Sequence, residues 1–236
     1  MIDIKQGDCI KIMQELPDTF IDMILCDLPY GTTKCKWDTV IPFENLWEQY
    51  IRIIKPNGVI SLFGQEPFSS LLRCSNLSWY KYDIYWEKER LTNINQVKKR
   101  VGKTVETISI FYNKQPTYNP QYTYSNPYVV SRKNYKGSEC YGEQRDHETV
   151  SDGRRFPMQI LEFAEKGKKI HPTQKPVALM EYLIKTYTNE NDLVLDNCMG
   201  SGSTGVAALN LNRNFIGMEL DENYFEIAKK RIEGEN

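Results

Sequence analysis

The sequence predicts an α/β fold with a largely parallel sheet, because two kinds of segment alternate along it. Residues 20–26 are a short apolar run that ends at Asp27, which suits a strand buried on both faces of a sheet. In residues 43–54 the apolar side chains recur at helical spacing, and Pro56-Asn57-Gly58 then breaks the pattern. Strands of this kind joined by helices are typical of parallel sheets.

The same alternation continues toward the C-terminus, around a region of different composition. From residue 112 to residue 141 the chain holds seven tyrosines and three prolines and shows little helical periodicity. We therefore predict a single domain over residues 1–236 with an irregular insertion at about 113–169, since long loops within a domain are usually functional or disordered. The other predicted strands are residues 59–63, 82–86, 107–112, 193–196 and 215–219, and the other predicted helices are residues 177–187, 204–211 and 223–232.

Composition narrows the class of protein. Of the 236 residues, 40% are hydrophobic, as expected of a globular protein. No apolar run approaches the roughly 20 residues of a membrane-spanning helix, and residues 1–5 lack the build of a signal peptide. A cytoplasmic location without a membrane partner is therefore expected. The six cysteines form no C-x-x-C pair and only two histidines are present, which argues against a zinc site.

Charge is distributed unevenly along the chain. The net charge is −1, but residues 81–168 hold 16 basic against 11 acidic side chains and the remainder is net −6. A basic middle on an acidic scaffold fits a surface that faces nucleic-acid phosphates, although a solvated charged face fits the charge alone equally well. Candidate contacts to phosphates or bases in the insertion are Arg132, Lys133, Arg145, Arg154 and Arg155.

A glycine-bearing loop, residues 196–204, lies between a predicted strand and a predicted helix. Ligands bind at the carboxyl ends of strands in open α/β sheets, and Gly200 and Gly202 allow the backbone to approach a ligand closely. Glu219 ends the next predicted strand and suits the hydroxyls of a ribose. The loop is neither G-x-G-x-x-G nor a phosphate-binding loop with its lysine, so by itself it leaves open a turn without a ligand.

A second strand end holds the tetrapeptide Asp27-Leu28-Pro29-Tyr30. The exocyclic amine of a nucleobase is a poor nucleophile and needs hydrogen-bond acceptors, which the Asp27 carboxylate and the Leu28 carbonyl would supply. Pro29 has no N–H to compete and stiffens the turn, and Tyr30 suits stacking on a base lifted out of a duplex. An ordinary turn after a strand explains the tetrapeptide alone equally well.

Together these segments resemble a known family, the amino-methyltransferases that modify adenine N6 or cytosine N4 in the DNA of bacteria and phages. The chain is similar in particular to the permuted group, in which the catalytic motif precedes the cofactor motif and the recognition region lies between them. Asp27 to Tyr30 resembles the D-P-P-Y catalytic motif of the family, and residues 196–204 resemble its D-P-F-x-G-S-G-T-T cofactor loop. Residues 171–176 resemble its H-P-T-Q-K-P segment. Further family positions are matched by Gly7-Asp8, Trp86-Glu87-Lys88 and Glu106.

The resemblance implies the fold of an S-adenosylmethionine-dependent methyltransferase, with seven mostly parallel strands and helices on both faces. It implies S-adenosyl-L-methionine as cofactor and double-stranded DNA as partner, and the group often forms homodimers and works beside a cognate restriction endonuclease. Asp8 would contact the adenine of the cofactor, and Glu219 would contact its ribose. Asp196 would lie at the methionine moiety, and Thr173 and Lys175 would lie near the carboxylate of that moiety. The full cofactor-binding set implied is Asp8, Cys9, Asp27, His171, Thr173, Lys175, Asp196, Cys198, Gly200, Ser201, Gly202, Glu219 and Leu220.

The chain departs from the family pattern at two places. Leu28 replaces the first proline of D-P-P-Y, but the acceptor there is a backbone carbonyl, so the chemistry is retained. Asn197-Cys198 replaces a Pro-Phe pair whose aromatic ring packs near the cofactor, so that side of the pocket is expected to be looser. Cys26 and Cys198 are interpreted as packing residues, since direct in-line transfer needs no covalent enzyme intermediate.

The first residue of the tetrapeptide indicates the base. Aspartate there is the usual mark of adenine N6 transfer, whereas serine is more usual for cytosine N4, and Asp27, Leu28, Pro29 and Tyr30 form the predicted catalytic set. Alternatives are a cytosine N4 enzyme, an inactive nucleic-acid-binding relative, and an enzyme acting on RNA or on a protein amide. A nicotinamide oxidoreductase is disfavoured because G-x-G-x-x-G is missing.

Overall fold

The computed structural model describes residues 1–32, 38–132, 139–140, 146–164 and 174–234. Strands and helices alternate over most of these ranges, as predicted. In chain order the elements are β1 (Ile2–Gln6), α1 (Cys9–Gln14), β2 (Ile21–Cys26), α2 (Phe43–Ile53), β3 (Ile54–Gly64), α3 (Phe68–Ser75), β4 (Tyr80–Glu87), β5 (Val105–Phe111), β6 (Thr123–Tyr124), β7 (Tyr128–Arg132), β8 (His147–Ser151), β9 (Arg154–Arg155), β10 (Ile160–Glu162), α4 (Val177–Tyr187), β11 (Leu193–Asp196), α5 (Ser203–Asn210), β12 (Asn214–Glu219) and α6 (Glu222–Glu233).

The main sheet is mostly parallel, which confirms the predicted fold class. Its strand order is β1-β12-β11-β2-β3-β5-β4-β10. Among the described strands of this sheet, only β5 runs antiparallel to its neighbours, β3 and β4. Seven of these strands form the expected sheet, and the three-residue β10 adds an eighth at the edge, parallel to β4.

Helices cover both faces of the sheet. In β2, Ile24 and Cys26 join the apolar cluster on one face, whereas Met23 and Leu25 join the cluster on the other. Helices α1, α2 and α3 supply the first cluster, and α4, α5 and α6 the second. Burial on both faces explains why the central strands are continuous apolar runs rather than alternating ones.

Four elements of the sheet domain were not predicted: β1, α1, α3 and β10. Each has eight residues or fewer, and β10 falls within the segment interpreted as irregular. Tertiary and capping contacts fix them, since β1 pairs along its whole length with β12 and the Asp8 carboxylate caps α1 by accepting from the N–H groups of Ile10 and Lys11. The predicted strand 59–63 is also longer, because β3 starts at Ile54 directly after α2.

The described chain divides into two compact units. The sheet domain comprises residues 1–119 and 159–236, and the second unit comprises residues 120–158. The second unit lies inside the predicted insertion of residues 113–169 but is shorter at both ends. The difference arises because residues 113–119 and 159–164 pack with the sheet domain, where Asn119 bonds to the end of α4 and β10 pairs with β4.

The second unit contains two antiparallel ribbons among its described residues. β6 pairs with β9, and β7 pairs with β8. The guanidinium of Arg155 lies 4.8 Å from the ring centroid of Tyr128, and that of Arg154 lies 5.5 Å from the ring centroid of Tyr122. Large apolar side chains remain exposed on these ribbons and beside them, namely Tyr124, Val129, Val150, Phe156 and Met158.

Within the described ranges, no helix combines the length and the apolar character that a bilayer crossing requires. The longest of them, α6, has 12 residues and a predominantly polar composition.

Helix α3 offers a matched test of which face packs on the sheet. Leu72 is 0% exposed and its neighbour Leu71 is 60% exposed. Leu72→Ala should lower the free energy of unfolding by about 2–5 kcal/mol, because it empties part of an apolar cluster. Leu71→Ala makes the same change in helix propensity and should alter that free energy by less than about 0.5 kcal/mol. Urea unfolding of both variants measures the difference, and equal losses would contradict the packing described.

Candidate active site

The predicted site residues lie together at the carboxyl ends of two adjacent strands, β2 and β11, whose following segments lead to opposite sides of the sheet. From β2 the chain continues through α2 to β3 on one side, and from β11 it continues through α5 to β12 on the other. The crevice outside the carboxyl ends of such strands is the usual ligand site of an open α/β sheet. Asp27 directly follows β2 and Asp196 ends β11, so the two acidic residues lie beside each other at this edge.

A single cavity of about 1810 Å³ opens over this edge. Its volume exceeds the roughly 300–1,000 Å³ of a typical small-molecule pocket, so it offers room for two ligand groups side by side. It brings together nearly all of the described residues predicted for the site: Asp8, Cys9, Asp27, Leu28, Pro29, Tyr30, Lys175, Asp196, Cys198, Gly200, Ser201, Glu219 and Leu220. Gly202 lies beside the cavity at the start of α5. His171 and Thr173 lie outside the described residues.

The tetrapeptide loop is held by its own side chains. The Tyr30 hydroxyl donates to Asp27 Oδ1 at 2.5 Å, and the Tyr30 ring centroid lies 5.0 Å from that of Phe68. Asp38, a residue that sequence reasoning missed, accepts from the backbone N–H groups of Gly31 at 2.8 Å and Thr32 at 2.9 Å. These bonds fix the direction in which the chain leaves Tyr30.

The side chain of Leu28 points into the protein. It is only 3% exposed and belongs to the apolar cluster beneath α1, α2 and α3. The replacement of a family proline by leucine therefore adds apolar packing under the loop. Its backbone still follows Asp27 along the cavity wall.

Asp27 belongs to a series of largely buried ion pairs. The ammonium of Lys175 is 2.5 Å from Asp27 Oδ2 and 3.3 Å from Glu106 Oε2. The other oxygen of Glu106 accepts from Lys88 and, at 2.9 Å, from the amide of Gln65. Two cations and two carboxylates thus alternate in the order Asp27, Lys175, Glu106 and Lys88, and all four residues border the cavity.

Burial and ion pairing shift the pKa values of these buried groups in opposite directions. Burial raises the pKa of Asp27 above its ordinary value, although the nearby ammonium of Lys175 acts against the shift. Burial alone would raise the pKa of Glu106 as well, but Lys175 and Lys88 together lower it to about 2. For Lys175, burial favours the neutral amine, but Asp27 and Glu106 outweigh it and the pKa is raised. Pairing therefore favours the charged forms of Glu106 and Lys175, whereas for Asp27 burial is the larger effect.

The glycine loop is ordered by the buried carboxylate that starts it. Asp196 Oδ1 accepts from the N–H of Cys198 at 3.1 Å, and Asp196 Oδ2 accepts from the Thr204 hydroxyl at 2.6 Å. Gly200 and Gly202 have φ values of +52° and +79°, the left-handed region that favours glycine. Arg231 of α6, which sequence reasoning missed, donates to the Ser201 carbonyl at 2.9 Å.

Glu219 connects the end of β12 to this loop. Its Oε2 accepts from the N–H of Gly200 at 2.8 Å and its Oε1 accepts from the N–H of Asp221 at 2.9 Å. Gly7, before the capping residue Asp8, donates its N–H to the Glu219 carbonyl at 2.9 Å. Asp8, Asp196 and Glu219, three of the four acidic residues predicted for the cofactor, thus line the cavity together, and the fourth, Asp27, lines it as well.

Three cysteines lie close to the glycine loop. The amide of Asn197 lies 3.7 Å from the Cys9 sulfur and 3.5 Å from the Cys198 sulfur, and its oxygen accepts from the Tyr50 hydroxyl at 2.6 Å. Burial raises the pKa of Cys26 to about 12, and a hydrogen bond with Cys26 raises the pKa of Cys198. Protonated thiols suit packing rather than nucleophilic roles.

The cavity has a basic wall that belongs to the basic middle of residues 81–168 but lies outside the insertion. Residues 88–103 hold six basic and one acidic side chain, a higher density of positive charge than in the insertion. Lys88, Arg90, Arg100 and Lys103 line the cavity. Sequence reasoning placed phosphate contacts in residues 113–169, because those basic residues are interleaved with tyrosines.

The fold and this site define a class of protein, and comparison with known families gives its membership. A family model described as DNA methylase, for N6 and N4 methyltransferases, matches residues 21–230. The chain therefore belongs to this DNA methylase family. It is a DNA methyltransferase, and its cofactor is S-adenosyl-L-methionine.

Characterised relatives span the same length. The type II methyltransferase M2.DpnII of Streptococcus pneumoniae is 28% identical and matches 98% of this chain and 89% of its own. The type II methyltransferase M2.LlaDCHI of Lactococcus lactis subsp. cremoris is 29% identical over 96% of this chain and 87% of its own.

Solved structures share the fold. The M1.HpyAVI–SAM complex is 29% identical with a TM-score of 0.67 and matches 98% of this chain and 100% of its own. The cytosine-N4-specific PvuII DNA methyltransferase has a TM-score of 0.68 and matches 98% of this chain and 86% of its own, but is only 17% identical, so it shares the fold alone.

The buried carboxylate of Asp196 gives a prediction about pH. Burial raises its pKa from 3.8 to about 6, so in this interval the folded protein holds a proton that the unfolded chain releases. The Asp196 contribution to the free energy of unfolding should therefore fall as pH rises, by up to about 3 kcal/mol. Asp196→Asn removes the titrating group, so this pH-dependent part of the free energy of unfolding is lost. The hydrogen bonds that the variant loses change that free energy by the same amount at every pH. Urea unfolding of both proteins at a series of pH values measures the difference, and a difference independent of pH would contradict the prediction.

Proposed function

We propose that this chain transfers a methyl group from S-adenosyl-L-methionine to N6 of an adenine flipped out of double-stranded DNA. The observation that carries the proposal is the position of Asp27. It is a carboxylate fixed by Tyr30 and Lys175 at the wall of a large cavity, on the strand adjacent to the one that bears the glycine loop. Aspartate at this position of the tetrapeptide supports adenine over cytosine.

The described residues fit the cofactor. Asp8 and Glu219 offer carboxylate oxygens for an amine and for hydroxyls along one wall, and Gly200 brings the loop backbone to that wall without a side chain. Asp196 braces the loop from beneath. When bound, the cofactor supplies an electrophilic methyl group on a sulfonium sulfur.

The tetrapeptide serves the base. Asp27 and the Leu28 carbonyl accept hydrogen bonds from the amine, and Asp27 then holds the proton that the amine gives up when it becomes alkylated. Tyr30 stacks on the base while its hydroxyl keeps Asp27 in place. Pro29 leaves the turn without a competing donor. Most of the acceleration then comes from alignment of the reacting groups.

The methylated base tests this proposal directly. DNA from cells that express the protein should contain N6-methyladenine at a fixed sequence, as seen by single-molecule sequencing and by mass spectrometry of nucleosides. Asp27→Ala should reduce transfer by at least about 100-fold, because it removes the acceptor of the amine proton. Asp3→Ala, which removes a carboxylate of β1 outside the cavity, is the matched control and should keep activity.

Other outcomes distinguish the alternatives. N4-methylcytosine in place of N6-methyladenine would reassign the substrate to cytosine. Calorimetric binding of S-adenosyl-L-methionine without any methylated base would indicate an inactive relative, and unchanged transfer by Asp27→Ala would remove Asp27 from the mechanism.

The second unit is proposed to read the target sequence. Its β-ribbons present Arg154, Arg155 and exposed aromatic side chains, and ribbons of this kind enter DNA grooves in other proteins. The cationic wall of the cavity formed by Arg90, Arg100 and Lys103 would contact phosphates beside the flipped nucleotide.

Salt dependence measures the phosphate contacts of the second unit. In Arg154→Ala/Arg155→Ala, the slope of log K against log salt concentration should become shallower by about 2, because each lost phosphate contact removes nearly one released counterion. The control Lys229→Ala/Lys230→Ala removes the same charge from the exposed side of α6 and should keep the wild-type slope. Fluorescence anisotropy with a DNA duplex gives both values, and equal slopes in the two variants would contradict the proposed role.

A further inference from the structure

Lys175 is enclosed by carboxylates rather than open to the cavity centre. Its side chain is 6% exposed, and its ammonium lies 2.5 Å from Asp27 and 3.3 Å from Glu106. The ring centroid of Phe63 lies 5.1 Å from the same nitrogen. The family resemblance would place this lysine at the carboxylate of the cofactor, but in the structure its ammonium is already shared between two carboxylates of the protein.

Glu106 completes the arrangement from the other side. One of its oxygens is occupied by Lys88 and Gln65, while its Oε2, fully enclosed, has Lys175 as its ionic neighbour among the described residues. The two positive charges of Lys88 and Lys175 together balance the two negative charges of Asp27 and Glu106. The charge of Lys175 is therefore divided between its two neighbours, and Asp27 receives only a part of it.

Both oxygens of Asp27 are held from within the protein. Oδ1 accepts from Tyr30 and Oδ2 from Lys175, which lie on separate parts of the chain. Two donors at two oxygens fix the plane of the carboxylate as well as its position. The remaining lone pairs are thereby directed at one place, as an acceptor aimed at a single amine requires.

We propose that Lys175 is a positioning residue for Asp27, with Glu106 as its counter-charge, and that it does not bind the carboxylate of the cofactor. The inference rests on the proposed function of Asp27 as acceptor for the base amine. Lys175 keeps Asp27 ionised and oriented. Glu106 draws part of the cation away, so that Asp27 remains a strong enough acceptor for the proton of the amine.

The two partners should therefore shift the titration of Asp27 in opposite directions. Lys175 lowers the pKa of Asp27 and Glu106 raises it, against a background of burial that raises it. Transfer needs the ionised carboxylate, so the rate is lost as pH falls through that pKa. Removing Lys175 should move the acid limb of the pH–rate profile to higher pH, and removing the charge of Glu106 should move it to lower pH. The other ionisable groups around Asp27 are Tyr30, Cys26 and Asp196, and Lys88 pairs with the far oxygen of Glu106.

Lys175→Met and Glu106→Gln test the proposal in the full-length protein. Single-turnover methylation is measured across pH, cofactor affinity is measured separately by calorimetry without DNA, and folding is checked by thermal unfolding. Lys55→Met is the matched control, because Lys55 also pairs with a carboxylate, Asp22 at 2.8 Å, but lies outside the cavity. It should keep both the wild-type profile and the wild-type cofactor affinity.

We expect Lys175→Met to lose at least about 100-fold in rate at neutral pH and to bind the cofactor as tightly as wild type. Its acid limb should move up and that of Glu106→Gln should move down. If Lys175→Met does not fold, Lys175→Gln, which keeps a hydrogen-bond donor but removes the charge, is measured in its place with the same two expectations.

Two results would overturn the proposal. Cofactor affinity reduced about tenfold or more in Lys175→Met would mean that the lysine does bind the cofactor carboxylate. Acid limbs that stay in place would mean that the charges do not act on Asp27. Failure of the proposed function is a separate outcome, since it would show as wild-type protein that does not methylate adenine at all.

Discussion

The burial of carboxylates at the carboxyl edge of the sheet is the constraint to which the rest of the site conforms. Asp27 and Asp196 lie at the ends of adjacent strands, where desolvation raises the pKa of each. A carboxylate in such a place is stable only with donors around it. Much of the surrounding structure supplies these donors: Tyr30 and Lys175 for Asp27, and Thr204 and the backbone of Cys198 for Asp196. The tetrapeptide loop and the glycine loop are thus shaped by the hydrogen bonds that their own acids require.

The two buried carboxylates are compensated by different kinds of donor. Asp196 is satisfied by neutral donors of its own loop, so it acts as a brace that holds the backbone in shape. Asp27 faces a lysine brought from just before α4 and retains exposure to the cavity, with its side chain 20% exposed. A charged partner keeps a carboxylate ionised in a place where neutral hydrogen bonds alone would leave it partly protonated. The carboxylate of Asp196 is therefore enclosed by its own loop, whereas that of Asp27 remains accessible from the cavity.

The sequence was sufficient for the architecture and for most residues that line the candidate site, because both depend on local patterns. Strands buried on two faces are visible as apolar runs, and Asp27, Asp196 and Glu219 end such runs. The chain gives no local sign of which residues approach from elsewhere in the fold. Asp38 accepts from the backbone six and seven residues before it, and Arg231 donates to a loop 30 residues before it, and each resembles an ordinary surface charge when read alone. The partners of Lys175 are likewise 148 residues away and in β5, so resemblance alone placed its ammonium with the cofactor. Leu28 could not be explained without the apolar cluster that receives it.

The insertion leaves and re-enters the sheet domain at two fixed points. Asn119 donates its backbone N–H to the Thr186 carbonyl at 2.7 Å and its amide to the Thr188 carbonyl at 3.0 Å, at the end of α4. On the return, β10 pairs with β4. Between such anchors, the entropic cost of a longer segment grows only with the logarithm of its length. The segment between these two anchors can therefore change in sequence and in length during evolution while the methyl-transferring domain keeps its fold.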